Sequence, residues 1–373
     1  MKKKKQSGSY LPIILGILVT AIVIFNILQL ASLNARIKQQ AAERAEAARP
    51  ADLELILLDP ACEACVDVQP VIDLVKRANT RITSERTVAA DSAEGKELVK
   101  KYSLTAAPSI ILLGETEKFS SQEFTERGDG LVFEPSTPPL VDLSTGEVTG
   151  LVSATILTDS SCDVCQGLDG VLSRLQQIGV VVSARETVER DSPAGRALIK
   201  DYALTKLPAL ILSKELADYG SAVEKLWLQA GRKAPDGAYV LEQQTPPYVE
   251  AATGEIRGLV TMTVITDPAC ATCYDTEAFN KPILRRFGLV PSETRRVNVS
   301  DAKELIDRYA IELVPTFLLS SEATLYSGLV RVWPRVGTVE EDGTYVFRNP
   351  AVSRQPYKNL TSGAIINPAS QAS

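Results

Sequence analysis

Six cysteines carry the chemistry open to this sequence. They fall as three C-x-x-C pairs, Cys62/Cys65, Cys162/Cys165 and Cys270/Cys273, and none is isolated. Two thiols at that spacing can close a small disulfide ring, and a reduced pair can attack another disulfide and resolve the mixed product. An even count in matched pairs points to disulfides within each pair rather than a cross-linked framework. The sequence has no histidine. That excludes Ser-His-Asp and Cys-His nucleophile arrangements, and zinc sites that use histidine. Any general acid or base must be carboxylate, lysine, tyrosine or cysteine.

The pairs mark an internal repeat. Cys162 follows Cys62 by 100 residues and Cys270 follows Cys162 by 108. A proline, Pro108, Pro208 or Pro315, stands 45 or 46 residues after each first cysteine. The stretch 91–113 (DSAEGKELVKKYSLTAAPSIILL) matches 191–213 (DSPAGRALIKDYALTKLPALILS) at 11 of 23 positions. The third copy reads NVSDAKELIDRYAIELVPTFLLS over 298–320. An apolar, β-branched run leads into each pair: LELILL at 53–58, SATILT at 153–158, TMTVIT at 261–266. Such runs read as strands. A helical pattern follows, then a second strand, then a helix ending at Tyr102, Tyr202 or Tyr309. The proline opens another apolar strand.

This order, strand–CxxC–helix–strand–helix–Pro–strand, resembles the thioredoxin superfamily over about the first 65 residues of each copy. The resemblance implies an α/β chain of three tandem thioredoxin-like domains, each a mixed sheet flanked by helices. It also implies that Pro108, Pro208 and Pro315 follow cis bonds and stack beside the disulfides. Three positions depart from the family. The residue before the first cysteine is Ala61, Ser161 or Ala269 where many members have an aromatic. The residue six places upstream, a buried carboxylate in thioredoxin, is Ile56, Ile156 or Val264. An aspartate stands three places upstream instead: Asp59, Asp159, Asp267. It reads as a helix cap, with Pro60 and Pro268 following. A carboxylate so close disfavours a thiolate, which argues against turnover as fast as that of thioredoxin.

The rest of each copy leads to an Asp-Gly turn at 129–130, 236–237 or 342–343, then a short strand, a proline turn and a turn near Gly146, Gly254 or Gly363. We read this as a helix plus a closing hairpin at the sheet edge. Trp227 and Trp333, each nine residues before its Asp-Gly, read as core. The domains accordingly span 51–150, 151–258 and 259–366, with a disordered tail at 367–373.

Residues 11–30 (LPIILGILVTAIVIFNILQL) carry no charge. As a helix they would reach about 30 Å, one bilayer core. A cleaved signal peptide is the rival reading, but this apolar stretch is long for one. Lys2–Lys5 within the basic end 1–10 favour an amino terminus inside and the domains outside, where disulfides persist. Residues 31–50, rich in Ala, Gln, Glu and Arg, read as a helical stalk ended by Pro50. Net charge is −6, with no basic domain, so nucleic acid is a poor candidate partner and none is expected.

The function these residues support is membrane-anchored, extracytoplasmic thiol–disulfide exchange with exported proteins or a membrane redox partner. It needs no cofactor beyond the disulfides themselves. Each first cysteine (Cys62, Cys162, Cys270), placed at a helix amino terminus, would attack, and each second (Cys65, Cys165, Cys273) would resolve. Two other readings use the same residues: a non-catalytic scaffold with structural disulfides, and zinc held by two pairs from different domains. The dipeptides inside the rings are Glu63–Ala64, Asp163–Val164 and Ala271–Thr272. Only the third lacks a carboxylate, and the upstream aspartate is common to all three. Cys270 is therefore expected to be the most acidic thiol, unless Tyr274 buries it.

Overall fold

The computed structural model describes residues 11–368, without the side chains of 11–17, 19–22 and 47. The basic end at 1–10 and residues 369–373 of the tail lie outside the described residues. The chain is mixed α/β, with three similar sheet-plus-helix domains. It forms two compact units, one ending at Val148 and the other beginning at Thr149 and holding repeats two and three.

Each repeat opens with its apolar strand: Ala51–Asp59, Val152–Thr158, Thr261–Thr266. Alternation along the first sends Leu53 and Leu55 into one core cluster and Ile56 and Leu58 into another, so both sheet faces are packed. A helix crosses over (Gln69–Arg77, Asp169–Gln177, Thr276–Arg286), which lets the second strand run parallel to the first. A further helix ends at Tyr102, Asp201 or Arg308. The chain then returns antiparallel to the first strand, with Leu55 opposite Leu112, Thr155 opposite Ile211 and Val264 opposite Phe317. The expected hairpin closes the edge, giving a five-stranded sheet in every repeat.

A second, three-stranded sheet in each repeat has no counterpart in the sequence pattern. The two residues before each repeat proline (106–107, 206–207, 313–314) form its first strand, paired with Leu140–Asp142, Tyr248–Glu250 or Tyr357–Asn359. Because the proline has no N–H, it is where the chain passes from this small sheet to the large one. The bonds Ala107–Pro108, Leu207–Pro208 and Val314–Pro315 are cis, as the resemblance implies, and so are Pro138–Pro139 and Pro246–Pro247.

Two repeated features that were only markers in the sequence meet here. Tyr102, Tyr202 and Tyr309 each donate their hydroxyl to the Asp-Gly aspartate, Asp129, Asp236 or Asp342, at 2.8–2.9 Å. The expected helix before that turn is present in repeats two and three (Ser221–Trp227, Ser327–Val332) and absent from repeat one. There the segment between Pro108 and Asp129 is too short for it, and Phe119 and Phe124, edge to face at 5.6 Å, fill the core that Trp227 and Trp333 fill elsewhere.

One helix runs from Leu11 to Ala48, through the expected span and the stalk. Among the described residues no helix is long and apolar enough to cross a membrane. The first half of the expected span, 11–30, consists mainly of residues whose side chains lie outside the description. The stalk end is tied to repeat one by Arg49 to Glu115 at 2.5 Å and Lys118 to Glu46 at 2.7 Å. Hydrogen bonds from Arg49 and Lys118 hold the Glu46 carboxyl at about 2.

Gly337 lies against the indole of Trp333, whose N–H donates to the Thr338 carbonyl at 2.9 Å. A Cβ at Gly337 would meet the Val346 carbonyl oxygen at 2.3 Å and the indole nitrogen at 2.9 Å. Gly337→Ala should therefore destabilise repeat three by about 1–3 kcal/mol, the range for overpacking. Denaturant unfolding followed by Trp333 fluorescence checks this, and an unchanged midpoint would contradict the packing described.

Candidate functional site

All six cysteines are joined within their own pairs, Cys62 to Cys65, Cys162 to Cys165 and Cys270 to Cys273, with Cα–Cα separations of 5.4, 5.5 and 5.4 Å. Among the described residues no group of three or more Cys, Asp or Glu side chains gathers as a metal site.

The pairs are not at a helix start, which corrects the expectation above. They sit in turns, and the helices begin only at Gln69, Asp169 and Thr276, three or four residues past Cys65, Cys165 and Cys273. Residues such as Pro70 and Asp275 open those helices, with Asp275 capping the N–H groups of Glu277 and Ala278. The positive end of a helix acts within about its first turn, so its pull on the first cysteine is weaker than the sequence implied.

Exposure does not mark out the attacking and resolving cysteines of each pair. A resolving sulfur should be the more enclosed of its pair, because access favours attack by the other. In repeat one both Cys62 and Cys65 are half-buried, so burial does not single out Cys65 as the resolving sulfur. The Cys65 N–H donates to the Cys62 carbonyl at 3.3 Å, which places Cys65 inside the same turn rather than in a helix behind it. In the other repeats exposure runs against the assigned roles. Cys162 and Cys270 are buried, while Cys165 and Cys273 are half-buried.

The upstream aspartates do hold the turns, though not as helix caps. Asp59, Asp159 and Asp267 each accept the N–H two residues on, from Ala61, Ser161 and Ala269, at 2.8–2.9 Å. In repeats two and three the aspartate carbonyl also accepts the N–H of Cys162 (3.2 Å) or Cys270 (2.9 Å). Repeat one turns differently, with Ala61 in the left-handed region at φ 55°. The loop past the second cysteine is pinned from the other side. Val66, next to Cys65, donates its N–H to the Pro139 carbonyl at 2.8 Å, and Tyr274, next to Cys273, donates to the Pro356 carbonyl at 3.1 Å. In repeat two, Cys162, Cys165, Pro208, Val249 and Asp159 line one cleft of about 170 Å³.

The other carboxylate oxygen distinguishes the repeats. Asp159 Oδ2 accepts from Arg190 Nε at 2.6 Å, and Asp267 Oδ2 from Lys358 Nζ at 2.5 Å. Both aspartates are nearly buried, with 10% and 7% of their side chains exposed. Asp59 has no cation partner among the described residues. Burial would raise the Asp159 carboxyl, but hydrogen bonds from Ser161 and Arg190 outweigh it and hold it below its ordinary value. Lys358 and the Ala269 N–H likewise hold Asp267 down. Sequence reasoning missed both cations. No repeat signal marks them, because Arg190 corresponds to Ala90, and Lys358 corresponds to Val141 and Val249 in strand register.

A second carboxylate supports the strand before the proline. Glu134 Oε1 accepts the N–H groups of Thr105 (2.6 Å) and Ala106 (3.1 Å); Glu242 Oε2 accepts those of Thr205 (2.9 Å) and Lys206 (3.0 Å). Its recurrence at the end of LVFE and YVLE could have been read from the alignment of repeats one and two. Repeat three has Arg348 there, which turns away to Glu340 (2.9 Å) and the Ala310 carbonyl (3.0 Å).

No family model matches the chain, and neither does any curated protein. Among solved structures, the NTD_N/C domain of alkylhydroperoxide reductase AhpF from Enterococcus faecalis is similar at 16% identity, covering 48% of this chain and 89% of that one, with a TM-score of 0.15. Crystal form I of ERdj5 is similar at 10% identity, over 74% of this chain and 37% of that one, TM-score 0.15. Human ERp44 form II is similar at 12% identity, over 74% and 77%, TM-score 0.13. Likenesses at these scores carry no argument about function.

Removing Asp267 would strip the Ala269 N–H of its acceptor and leave Lys358 unpaired near the interior. Asp267→Ala should cost about 2 kcal/mol, the scale of a hydrogen bond to a charged group. Asp59→Ala, which loses only the turn bond, should cost about 1 kcal/mol. The acid dependence has a definite sign. A carboxyl held below its unfolded value of about 3.9 contributes fully above that pH and loses the contribution as pH falls through its lowered folded value. Denaturant midpoints from pH 7 down to 2 should therefore fall less steeply for Asp159→Asn and Asp267→Asn than for the parent. Equal slopes would mean that these carboxylates are not held as described.

Proposed function

We propose that the protein is a membrane-anchored thiol–disulfide exchange protein of three thioredoxin-like domains. Residues 11–30 form the anchor, and the domains face exported proteins or a membrane redox partner outside the cytoplasm. The observation that carries this reading is the placement of each disulfide. It lies in a turn held on one side by the strand-end aspartate and, in repeats one and three, by the proline hairpin on the other, with Pro208 sharing the cleft of the second pair. A turn outside regular structure leaves the S–S bond to be opened without unpicking a helix or a sheet ladder. In exchange, a thiolate attacks one sulfur, the other leaves as a thiolate, and a second attack closes a disulfide in one partner while the other ends as a dithiol. The uncharged twenty-residue stretch and Lys2–Lys5 support the anchor and its orientation.

Full-length protein in detergent, given a reduced or mispaired disulfide substrate and a glutathione buffer, should accelerate exchange well above background. The variant with Cys62, Cys162 and Cys270 all changed to Ser should not. Equal rates for the two would reduce the disulfides to structural staples and favour the scaffold reading. Protease added to intact spheroplasts should cut beyond residue 50, whereas full protection would reverse the orientation.

A further inference from the structure

The expectation that the upstream aspartate acts equally in all three repeats does not survive the geometry. In repeat one, Asp59 and the ring residue Glu63 both lack a cation among the described residues. In repeat two, Arg190 pairs with Asp159, leaving Asp163 in the ring; the nearby Asp169 is paired with Arg185, and both line the disulfide cleft. In repeat three, Lys358 pairs with Asp267, and the ring dipeptide Ala271–Thr272 carries no charge. Counting the strand-end aspartate and the ring dipeptide of each repeat, the carboxylates without an ion pair among the described residues thus number two, one and none.

We infer that Arg190 and Lys358 are positioning residues that set the redox poise of their disulfides, so that the three pairs form a ladder running from most reducing in repeat one to most oxidising in repeat three. The physical step is simple. Reducing a disulfide takes two electrons and two protons and yields a dithiol, one of whose sulfurs can lose its proton again to become a thiolate. A carboxylate beside that thiolate disfavours it, and a cation that engages the carboxylate relieves the effect. The more stable the reduced form, the more oxidising the disulfide. Burial opposes this between repeat one and the others, since Cys162 and Cys270 are more enclosed than Cys62. Between repeats two and three it nearly cancels, because these cysteines are 8% and 6% exposed. There the ring carboxylate Asp163 and the sharing of Arg190 with Asp191 at 3.0 Å both point to a more reducing pair in repeat two. The register is itself an argument for Lys358. It stands opposite Val314, the residue before Pro315, where the other repeats have Val141 opposite Ala107 and Val249 opposite Leu207.

The inference deepens the exchange reading, and its test can be separated from it. In full-length chains keeping one cysteine pair each, the other two changed to Ser, the oxidised fraction is read by alkylation and mass spectrometry across dithiothreitol buffers. Dithiothreitol poises each pair whether or not it exchanges with proteins, so the order is measurable even if the exchange assay fails. The equilibrium constant should rise from repeat one to repeat three. Lys358→Gln should lower that of the third pair about tenfold, or about 30 mV for a two-electron couple. Lys358→Arg should keep it, and Ala90→Arg, which places a cation where repeat two has Arg190, should raise that of the first pair. Three equal constants, a reversed order, or a third pair indifferent to Lys358→Gln in a variant with parent circular dichroism would each overturn the ladder.

Discussion

Leu53, Leu55, Ile56 and Leu58 are wholly enclosed, and the matching strands of the other repeats are nearly so. A strand packed on both faces and bonded along both edges has one place left to act, its carboxyl end. The aspartate stands there in every repeat. Its side chain must find donors as it leaves the sheet, and the N–H two residues on is the nearest. That bond starts the turn toward the first sulfur in every repeat; in repeats two and three the aspartate carbonyl closes it on Cys162 or Cys270, whereas in repeat one Ala61 takes the left-handed region instead. The crossover helix, the parallel second strand and the antiparallel return all lie behind this point. They make it rigid without touching the chemistry.

Much of this was legible because the repeat was written in side chains that physics constrains. The apolar runs became the central strands, and the tyrosines and Asp-Gly turns recur in every copy because the hydroxyl of one bonds the carboxylate of the other, although their spacing is 27 residues in repeat one and 34 and 33 in the others. The cysteine pairs and the prolines kept theirs because the turn and the sheet-to-sheet passage lie at fixed distances along the fold. The small second sheet was hidden because its strands are two or three residues long, below the length at which alternation can be seen. The helix start was misplaced for a related reason. The residues after each pair mix apolar and turn-forming types (Val66–Asp67–Val68, Gln166–Gly167–Leu168, Tyr274–Asp275), and only capping geometry, not period, shows where the helix begins. With the helix displaced, the asymmetry between Cys62 and Cys65 that a helix terminus would impose goes with it, since both sulfurs then belong to one turn.

The cations at the site were illegible for a different reason. Arg190 lies just before a helix cap and Lys358 in a strand of three residues, and neither position is charged in the other repeats. Alignment of copies finds what they share, whereas these residues are where the copies diverge. The same holds for Arg348, which replaces the carboxylate that Glu134 and Glu242 turn toward the strand before the proline.

Divergence of this kind has a physical logic. The shared bonds, from aspartate to N–H and from tyrosine to aspartate, fix backbone and cannot vary without moving the sulfurs. The charge on the far oxygen of the aspartate leaves the turn as it is, since the bond to Ser161 or Ala269 uses the other oxygen. Each copy is therefore free to change its electrostatics while keeping its geometry. Three identical sites in series would add capacity only. Under the proposed ladder, the ion pairs at Asp159 and Asp267 set repeats two and three apart from repeat one, and the ring residue Asp163 sets repeat two apart from repeat three.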